Sequence, residues 1–142
     1  MERILGLDVG TRTIGVAVSD PLGITAQPVT TIRRTKIDAD LAELRDIVAL
    51  YNASLLVVGY PRNMNGTVGE QAQYVDRFVE VLRAQVPLPV ELVDERLTTR
   101  VASQAMKAGN VKAARRKEII DQQAAALILQ GYMDRLSRQK KE

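Results

Sequence analysis

The chain has 142 residues, of which 46% are hydrophobic and 26% charged, and these values predict one globular domain spanning residues 1–142. It contains neither cysteine nor histidine, which excludes disulfides, thiol nucleophiles, serine–histidine catalysis and zinc sites built from thiolate or imidazole. No apolar run approaches the roughly 20 residues that cross a bilayer, and no signal-peptide pattern opens the chain, so we expect a cytoplasmic protein without membrane contact.

Charge is distributed unevenly along the chain. The net charge is +3, but residues 96–142 contain 11 basic and 4 acidic side chains, whereas residues 1–95 contain 9 basic and 13 acidic ones. A basic C-terminal third is typical of proteins that bind a polyanion, of which nucleic acid is the commonest. A solvated helix face gives the same count, so charge alone leaves both interpretations open.

The first third of the chain predicts three strands. Residues 3–9 are apolar after Arg3 except for Asp8, and residues 14–19 and 24–33 form two further runs. Turns are predicted between these runs, the second with the Asp-Pro-Leu-Gly sequence of a type I turn. Strands joined by such short turns pair antiparallel.

The remaining chain alternates between helices and strands. Apolar residues recur at helical spacing over residues 38–51 and again after Thr67, a candidate helix cap. A buried strand is predicted after the first of these helices, at 54–59, which favours a parallel crossover, and a fifth strand is predicted at 90–93. A helix is predicted at 98–109, and a basic segment, residues 112–117, precedes a last helix that reaches about residue 138. This order predicts a mixed-sheet α/β domain.

Three acidic positions do not fit a solvated helix face. Asp8 lies inside an apolar strand, where a charge is costly unless a partner or a metal stabilises it; the alternative is a carboxylate that caps a turn amide. Asp94 and Glu95 follow a strand, and strand alternation allows at most one of them to face a given cleft; the alternative for either is an acid at the N-terminus of the next helix. Asp121 shares a helix face with three apolar residues, which turns it toward the core. The alternative is an acid in the first turn of the helix, where the helix dipole stabilises a negative charge.

A cluster of such carboxylates predicts a site for divalent metal ions. Like charges brought together need a counter-charge, and ligation by oxygen alone selects Mg²⁺ or Mn²⁺. Two ions about 3.5–4 Å apart can hold the attacking water and the leaving oxygen of an in-line phosphoryl displacement. Thr11, Thr13 and Ser19 have no base to activate them and are interpreted as turn and strand residues. The acids and the basic C-terminal third together predict phosphodiester hydrolysis.

Four motifs are spread over nearly the whole chain. They are Leu-Asp-Val-Gly-Thr-Arg-Thr-Ile-Gly-Val-Ala-Val-Ser-Asp at 7–20, Gly-Tyr-Pro-Arg-Asn-Met-Asn-Gly at 59–66, Asp-Glu-Arg-Leu-Thr at 94–98, and Lys117 with Asp-Gln-Gln-Ala-Ala at 121–125. In this order they resemble the YqgF/RuvX family, which is similar to Holliday junction resolvases of the RuvC type. The resemblance implies an RNase H-like fold. In that fold a five-stranded mixed sheet is flanked by helices, its first three strands are antiparallel, and strands four and five are parallel to strand one.

The resemblance also implies the site residues. Asp8, Glu95 and Asp121 match the family's acids, and we expect them to bind two Mg²⁺ or Mn²⁺ ions and to carry catalysis. This match, rather than the strand pattern, favours Glu95 over Asp94. Seven residues are expected to contact the phosphate backbone of bound nucleic acid: Arg12, Arg62, Asn63, Lys112, Arg115, Arg116 and Lys117. The last four are expected there from their charge and their place just before the helix that contains Asp121, and not from the resemblance.

For function, the resemblance implies a metal-dependent nuclease that acts on structured RNA in the 5′-end maturation of pre-16S ribosomal RNA. The alternative in the same class is a Holliday junction resolvase that acts on branched DNA. An actin-like phosphotransferase is disfavoured because 142 residues supply only one of the two halves of that fold. A nucleic-acid-binding module without catalysis is the remaining alternative, and the three acids argue against it.

Overall fold

A computed structural model describes residues 3–61, 69–95 and 113–141, except for the side chains of Glu70, Glu95, 113–118 and 138–141. The strands within these ranges are β1 (Arg3–Val9), β2 (Thr13–Ser19), β3 (Ala26–Arg33), β4 (Ala53–Pro61) and β5 (Val90–Glu95). The helices are α1 (Ile37–Tyr51), α2 (Glu70–Gln85) and α3 (Ala113–Lys141). None of the helices in the described ranges is long and apolar enough to cross a membrane.

The five strands form one mixed sheet in the order β3-β2-β1-β4-β5. β1 pairs antiparallel with β2, and β2 with β3, whereas β1 pairs parallel with β4, and β4 with β5. The carboxyl ends of β1, β4 and β5 therefore meet at one edge of the sheet, which we call the carboxyl edge. The predicted α/β class and the predicted strand directions are confirmed.

Helices cover both faces of this sheet. α1 and α2 pack on one face, in a core that contains Leu5 and Leu7 of β1. α3 packs on the other face, in a smaller cluster that contains Leu129 and Ala125. Because β1 is covered on both faces, its sequence is apolar at nearly every position, as the run from residue 3 to residue 9 indicates.

The approach of α3 to β1 depends on a glycine. A Cβ atom on Gly6 would lie 2.7 Å from Cβ of Leu129 and 2.9 Å from the carbonyl oxygen of Ala125, closer than real Cβ contacts. Only a residue without a Cβ lets the helix backbone come this near to the central strand. The alanines Ala17 and Ala125, both fully buried, belong to the same cluster between α3 and the sheet.

The start of β3 differs from the prediction. The strand begins at Ala26 rather than at residue 24, because the Asp20 carboxylate accepts hydrogen bonds from the amides of Ile24 at 2.7 Å and Thr25 at 3.3 Å. These bonds hold both residues in the turn. The bond from Ile24 is also the largest of the contacts that lower the pKa of the exposed Asp20.

Two helix starts differ as well. α2 begins at Glu70 with Gly69 as its N-cap, so the predicted cap at Thr67, which lies outside the described residues, was wrong. α3 begins at Ala113, so most of the basic segment lies in the first turns of the helix rather than before it. The predicted helix at 98–109 falls outside the described ranges.

Candidate carboxylate site

Asp8 lies near the end of β1, on the face of the sheet that α3 covers. It is half-buried and pairs across the antiparallel ladder with Gly15 of β2. Gly6, two residues earlier, packs against α3, and residues two apart in a strand share a face. The charge that interrupts the apolar run of β1 is therefore on the α3 side of the sheet.

Gly15 brings Asp121 to the same position. A Cβ atom on Gly15 would lie 1.9 Å from the carbonyl oxygen of Asp121 and 3.1 Å from the amide nitrogen of Gln122. The backbone of α3 at Asp121 thus lies directly against Gly15, the residue opposite Asp8. Because opposed residues of an antiparallel pair share a face, the fold brings Asp8 and Asp121 to one end of one face.

Thr13 orients the carboxylate of Asp121. Its Oγ1 donates a hydrogen bond to Oδ2 of Asp121 at 2.6 Å, the short distance typical of a charged acceptor. The interpretation of Thr13 as a plain turn and strand residue missed this contact. The available signal was strand alternation, because Thr13 precedes Gly15 by two residues and so shares the face of Asp8 once the β1–β2 register is known.

The two acids at the end of β5 occupy different positions. Val93 is buried in the cluster with α3. Its neighbour Asp94 therefore lies on the opposite face, where it is exposed and is the register partner of Tyr60 in β4. Glu95 is the last residue of β5, two positions after Val93 and beside Pro61 of β4, and its side chain is outside the described part of the chain.

Arg12 lies in the turn that joins β1 to β2, which we call the 10–13 turn. The amide of Gly10 donates to the carbonyl oxygen of Thr13 at 2.9 Å, and the carbonyl oxygen of Arg12 accepts from the amide of Arg34 at 2.9 Å. The side chain of Arg12 is exposed, at the carboxyl edge that also holds Asp8. Its contact with the phosphate backbone stays a prediction.

The other predicted backbone contacts are described only in part. Arg115, Arg116 and Lys117 lie in the first turns of α3, four to six residues before Asp121, which is about 6–9 Å along the helix axis at 1.5 Å per residue. Their side chains are not described. The remaining predicted contacts lie outside the described residues: Arg62, Asn63 and Lys112.

Oxygen atoms are the ligands that this chain can offer a metal, because it has neither cysteine nor histidine. Where side chains are described, no three acidic groups form a metal-binding set. Asp8 and Asp121, two of the three predicted ligands, are brought together through Gly15. Glu95, the third, stays a prediction.

A cavity of about 290 Å³ lies between β5 and α3, and it is lined by Glu91, Leu92, Val93, Tyr132, Arg135 and Leu136. Burial raises the pKa of Tyr132 to about 12, and a hydrogen bond and the charge of Glu91 act in the same direction. None of these residues is a predicted site residue, so the cavity is separate from the carboxylate site.

Two solved structures share this fold. RuvC of T. thermophilus in complex with a Holliday junction substrate is similar with a TM-score of 0.57 and 13% identity, over 96% of this chain and 97% of that chain. The fowlpox virus Holliday junction resolvase is similar with a TM-score of 0.52 and 11% identity, over 94% of this chain and 99% of that chain. The RNase H-like fold that the motifs imply is thereby confirmed.

Sequence comparison extends the likeness over nearly the whole chain. A protein of Moorella thermoacetica named "Putative pre-16S rRNA nuclease" is 56% identical over 136 residues, which cover 96% of this chain and 97% of that protein. A Clostridium novyi protein of the same name is 53% identical over 132 residues, which cover 93% and 98%. The RuvX family, described as Holliday junction resolvase, matches residues 2–135. The chain therefore belongs to the RuvX family.

Proposed function

We propose that this protein is a divalent-metal-dependent nuclease that hydrolyses phosphodiester bonds in the 5′-end maturation of pre-16S ribosomal RNA. The observation that carries the proposal is the contact of the α3 backbone at Asp121 with Gly15, the cross-strand neighbour of Asp8. Two carboxylates held at one end of a sheet need a counter-charge, which a divalent cation supplies. The names of the relatives from M. thermoacetica and C. novyi support the choice of substrate.

We assign Asp8, Glu95 and Asp121 as the residues that hold two Mg²⁺ or Mn²⁺ ions. Carboxylate oxygens suit hard cations, and the chain has no thiolate or imidazole that would select a softer metal. When bound, the ions stabilise the negative charge that develops on the phosphate during hydrolysis. Thr13 fixes the direction of the Asp121 carboxylate through its 2.6 Å hydrogen bond.

Basic residues near the carboxylates bind the phosphates of the substrate in this proposal. Arg12 is exposed in the 10–13 turn, and Arg115, Arg116 and Lys117 precede Asp121 on α3. We assign the same role to Arg62 and Asn63 by resemblance, and to Lys112 as part of the basic segment 112–117. Contacts to phosphate carry no sequence information, so recognition of the RNA rests on its shape and its unpaired segments.

Cleavage of a defined RNA tests the proposal. The purified protein is incubated with a structured RNA that contains the 5′ leader of 16S rRNA, in Mg²⁺, in Mn²⁺ or in excess chelator. We expect cleavage with one or both metals and none with the chelator. Asp8→Asn, Glu95→Gln and Asp121→Asn should each abolish cleavage and retain RNA binding, because each removes negative charge from the site. The control Asp94→Asn, on the opposite face, should cleave like the parent. Cleavage that persists in chelator contradicts the metal mechanism.

The description of the RuvX family favours Holliday junction resolution as the second candidate function. A four-way DNA junction in the same assay distinguishes the two candidates. Cleavage of the junction with the RNA left intact favours the resolvase, and binding of both without cleavage favours a module without catalysis. A nuclease of ribosomal RNA acts in the cytoplasm, which is where we expect this protein.

A further inference from the structure

One arginine contacts the 10–13 turn from the face of the sheet opposite to the carboxylates. Nη1 of Arg34 donates a hydrogen bond to the carbonyl oxygen of Gly10 at 3.1 Å. The same atom contacts the hydroxyl of Tyr74, and the guanidinium carbon lies 5.2 Å from the ring centroids of Tyr74 and Phe78, both in α2. The guanidinium is thus held between α2 and the turn.

Asp40 of α1 fixes this arginine. Nε of Arg34 lies 3.2 Å from Oδ2 of Asp40, and the two side chains are only 12% and 3% exposed. Oδ1 of Asp40 accepts the amide of Thr35 at 3.0 Å, so both carboxylate oxygens have partners. Among the described side chains, Asp40 is the only carboxylate that is buried. A buried ion pair contributes little net stability, but its fixed geometry can hold neighbouring groups in one arrangement.

Arg34 donates two hydrogen bonds to the 10–13 turn. The side chain of Arg34 binds the carbonyl oxygen of Gly10, and its backbone amide binds the carbonyl oxygen of Arg12 at 2.9 Å. The turn connects Asp8, two residues before Gly10, to Thr13, whose hydroxyl orients Asp121. A change in the turn therefore moves both sides of the carboxylate site.

We propose that Arg34 and Asp40 are positioning residues of the active site. They hold the 10–13 turn from the face of the sheet that α1 and α2 cover. They thereby fix the orientation of Asp8 and the distance between Thr13 and Asp121. The inference rests on the proposed nuclease function for its catalytic consequence. The fixed geometry of the turn is a separate consequence that does not depend on catalysis.

Arg34→Lys is the test variant, because lysine keeps the positive charge opposite Asp40 but lacks the fork that also reaches Gly10. Loss of a group that orients ligands costs roughly 10–100-fold in activity, so we expect kcat on the RNA to fall by that factor. KM should change less than about twofold, because Arg34 does not touch substrate. The matched control is Arg83→Lys, since Arg83 also donates to a main-chain carbonyl, that of Val90 at 3.0 Å, away from the turn. It should retain the parent kcat.

Amide hydrogen exchange supplies a readout that does not need activity. In Arg34→Lys we expect the amides of Gly10 and Arg34, whose acceptors lie in the turn, to exchange at least tenfold faster, with β4 and β5 unchanged. Asp40→Asn, which keeps one oxygen as acceptor, is measured in the same way and replaces Arg34→Lys if that variant does not fold. Parent-like kcat together with parent-like exchange overturns the inference, as does faster exchange spread evenly over the chain. If the parent cleaves neither RNA nor the DNA junction, the proposed function is wrong. Faster amide exchange that is confined to the turn of the variant then still supports the positioning role, and an unchanged exchange rate overturns it.

Discussion

Substitution of Gly15 by alanine tests the geometry of the carboxylate site directly. The added Cβ atom would lie 1.9 Å from the carbonyl oxygen of Asp121, whereas real Cβ contacts are essentially never shorter than 3.0 Å. Because this oxygen belongs to the backbone of α3, the helix has to move by about 1.1 Å, the difference between these distances, and Asp121 moves with it. A displacement of about 1 Å in a catalytic group costs roughly 100-fold in rate.

We therefore expect Gly15→Ala to cleave the RNA about 100-fold more slowly than the parent in a single-turnover assay with Mn²⁺. Overpacking of this kind lowers the free energy of unfolding by about 1–3 kcal/mol, or roughly 3–10 °C in Tm, so the variant is assayed at 25 °C, where it stays folded. Gly131→Ala is the control on the same helix. Its Cβ would meet no atom within 4 Å. Its better helix propensity should stabilise the protein by about 1 kcal/mol with cleavage unchanged.

Gly6→Ala separates displacement at Asp121 from a general loss of packing. Its Cβ would contact Leu129 and Ala125, at least one helical turn beyond Asp121. We expect a similar loss of Tm but a smaller loss of rate than in Gly15→Ala. Parent-like cleavage by Gly15→Ala refutes the reasoning, and so does an equal loss of rate in Gly6→Ala at equal stability.

Three further outcomes are expected. Thr13→Val removes the hydroxyl that binds Asp121 at 2.6 Å and should lower kcat by roughly 10–100-fold, with recovery in Thr13→Ser. Parent-like turnover of Thr13→Val would contradict this. Replacement of Arg115 and Arg116 by alanine should weaken binding to RNA and DNA alike, and a salt titration should show the slope of log affinity reduced by up to two contacts of about 0.7–0.9 each. An unchanged slope would show that Arg115 and Arg116 do not contact the phosphates. The pKa of Tyr132 is raised from 10.0 to about 12, so the protonated hydroxyl stabilises the folded protein. This stabilisation is fully present below pH 10 and is lost as the pH rises through 12. The free energy of unfolding in urea should therefore fall less between pH 10 and 12 for Tyr132→Phe than for the parent. An equal fall in the two proteins would contradict this.

Local sequence patterns determined the elements of the sheet. The run of apolar residues from 3 to 9 predicted the bounds of β1 as observed, because a strand covered on both faces is apolar at nearly every position. Short turns predicted the antiparallel β1–β2–β3 meander, and the helix before β4 predicted its parallel pairing. The parallel direction of β5 was implied by the family resemblance. Asp8 was identifiable as a candidate site residue for the same reason, since it is the one charge inside this run after Arg3.

Contacts between distant segments decided the rest of the site. The face of the sheet on which Asp94 lies is decided by the packing of its neighbour Val93 against α3. The start of α3 at Ala113, within the basic segment, was not predicted, because charge composition does not indicate where a helix begins. The role of Thr13 depended on a hydrogen bond to Asp121 across 108 residues of sequence. Hydrophobic periodicity is a local property and predicts which face of an element is buried. The partner on that face, and the distance between the functional groups, follow from strand register and from where a helix backbone can approach a glycine.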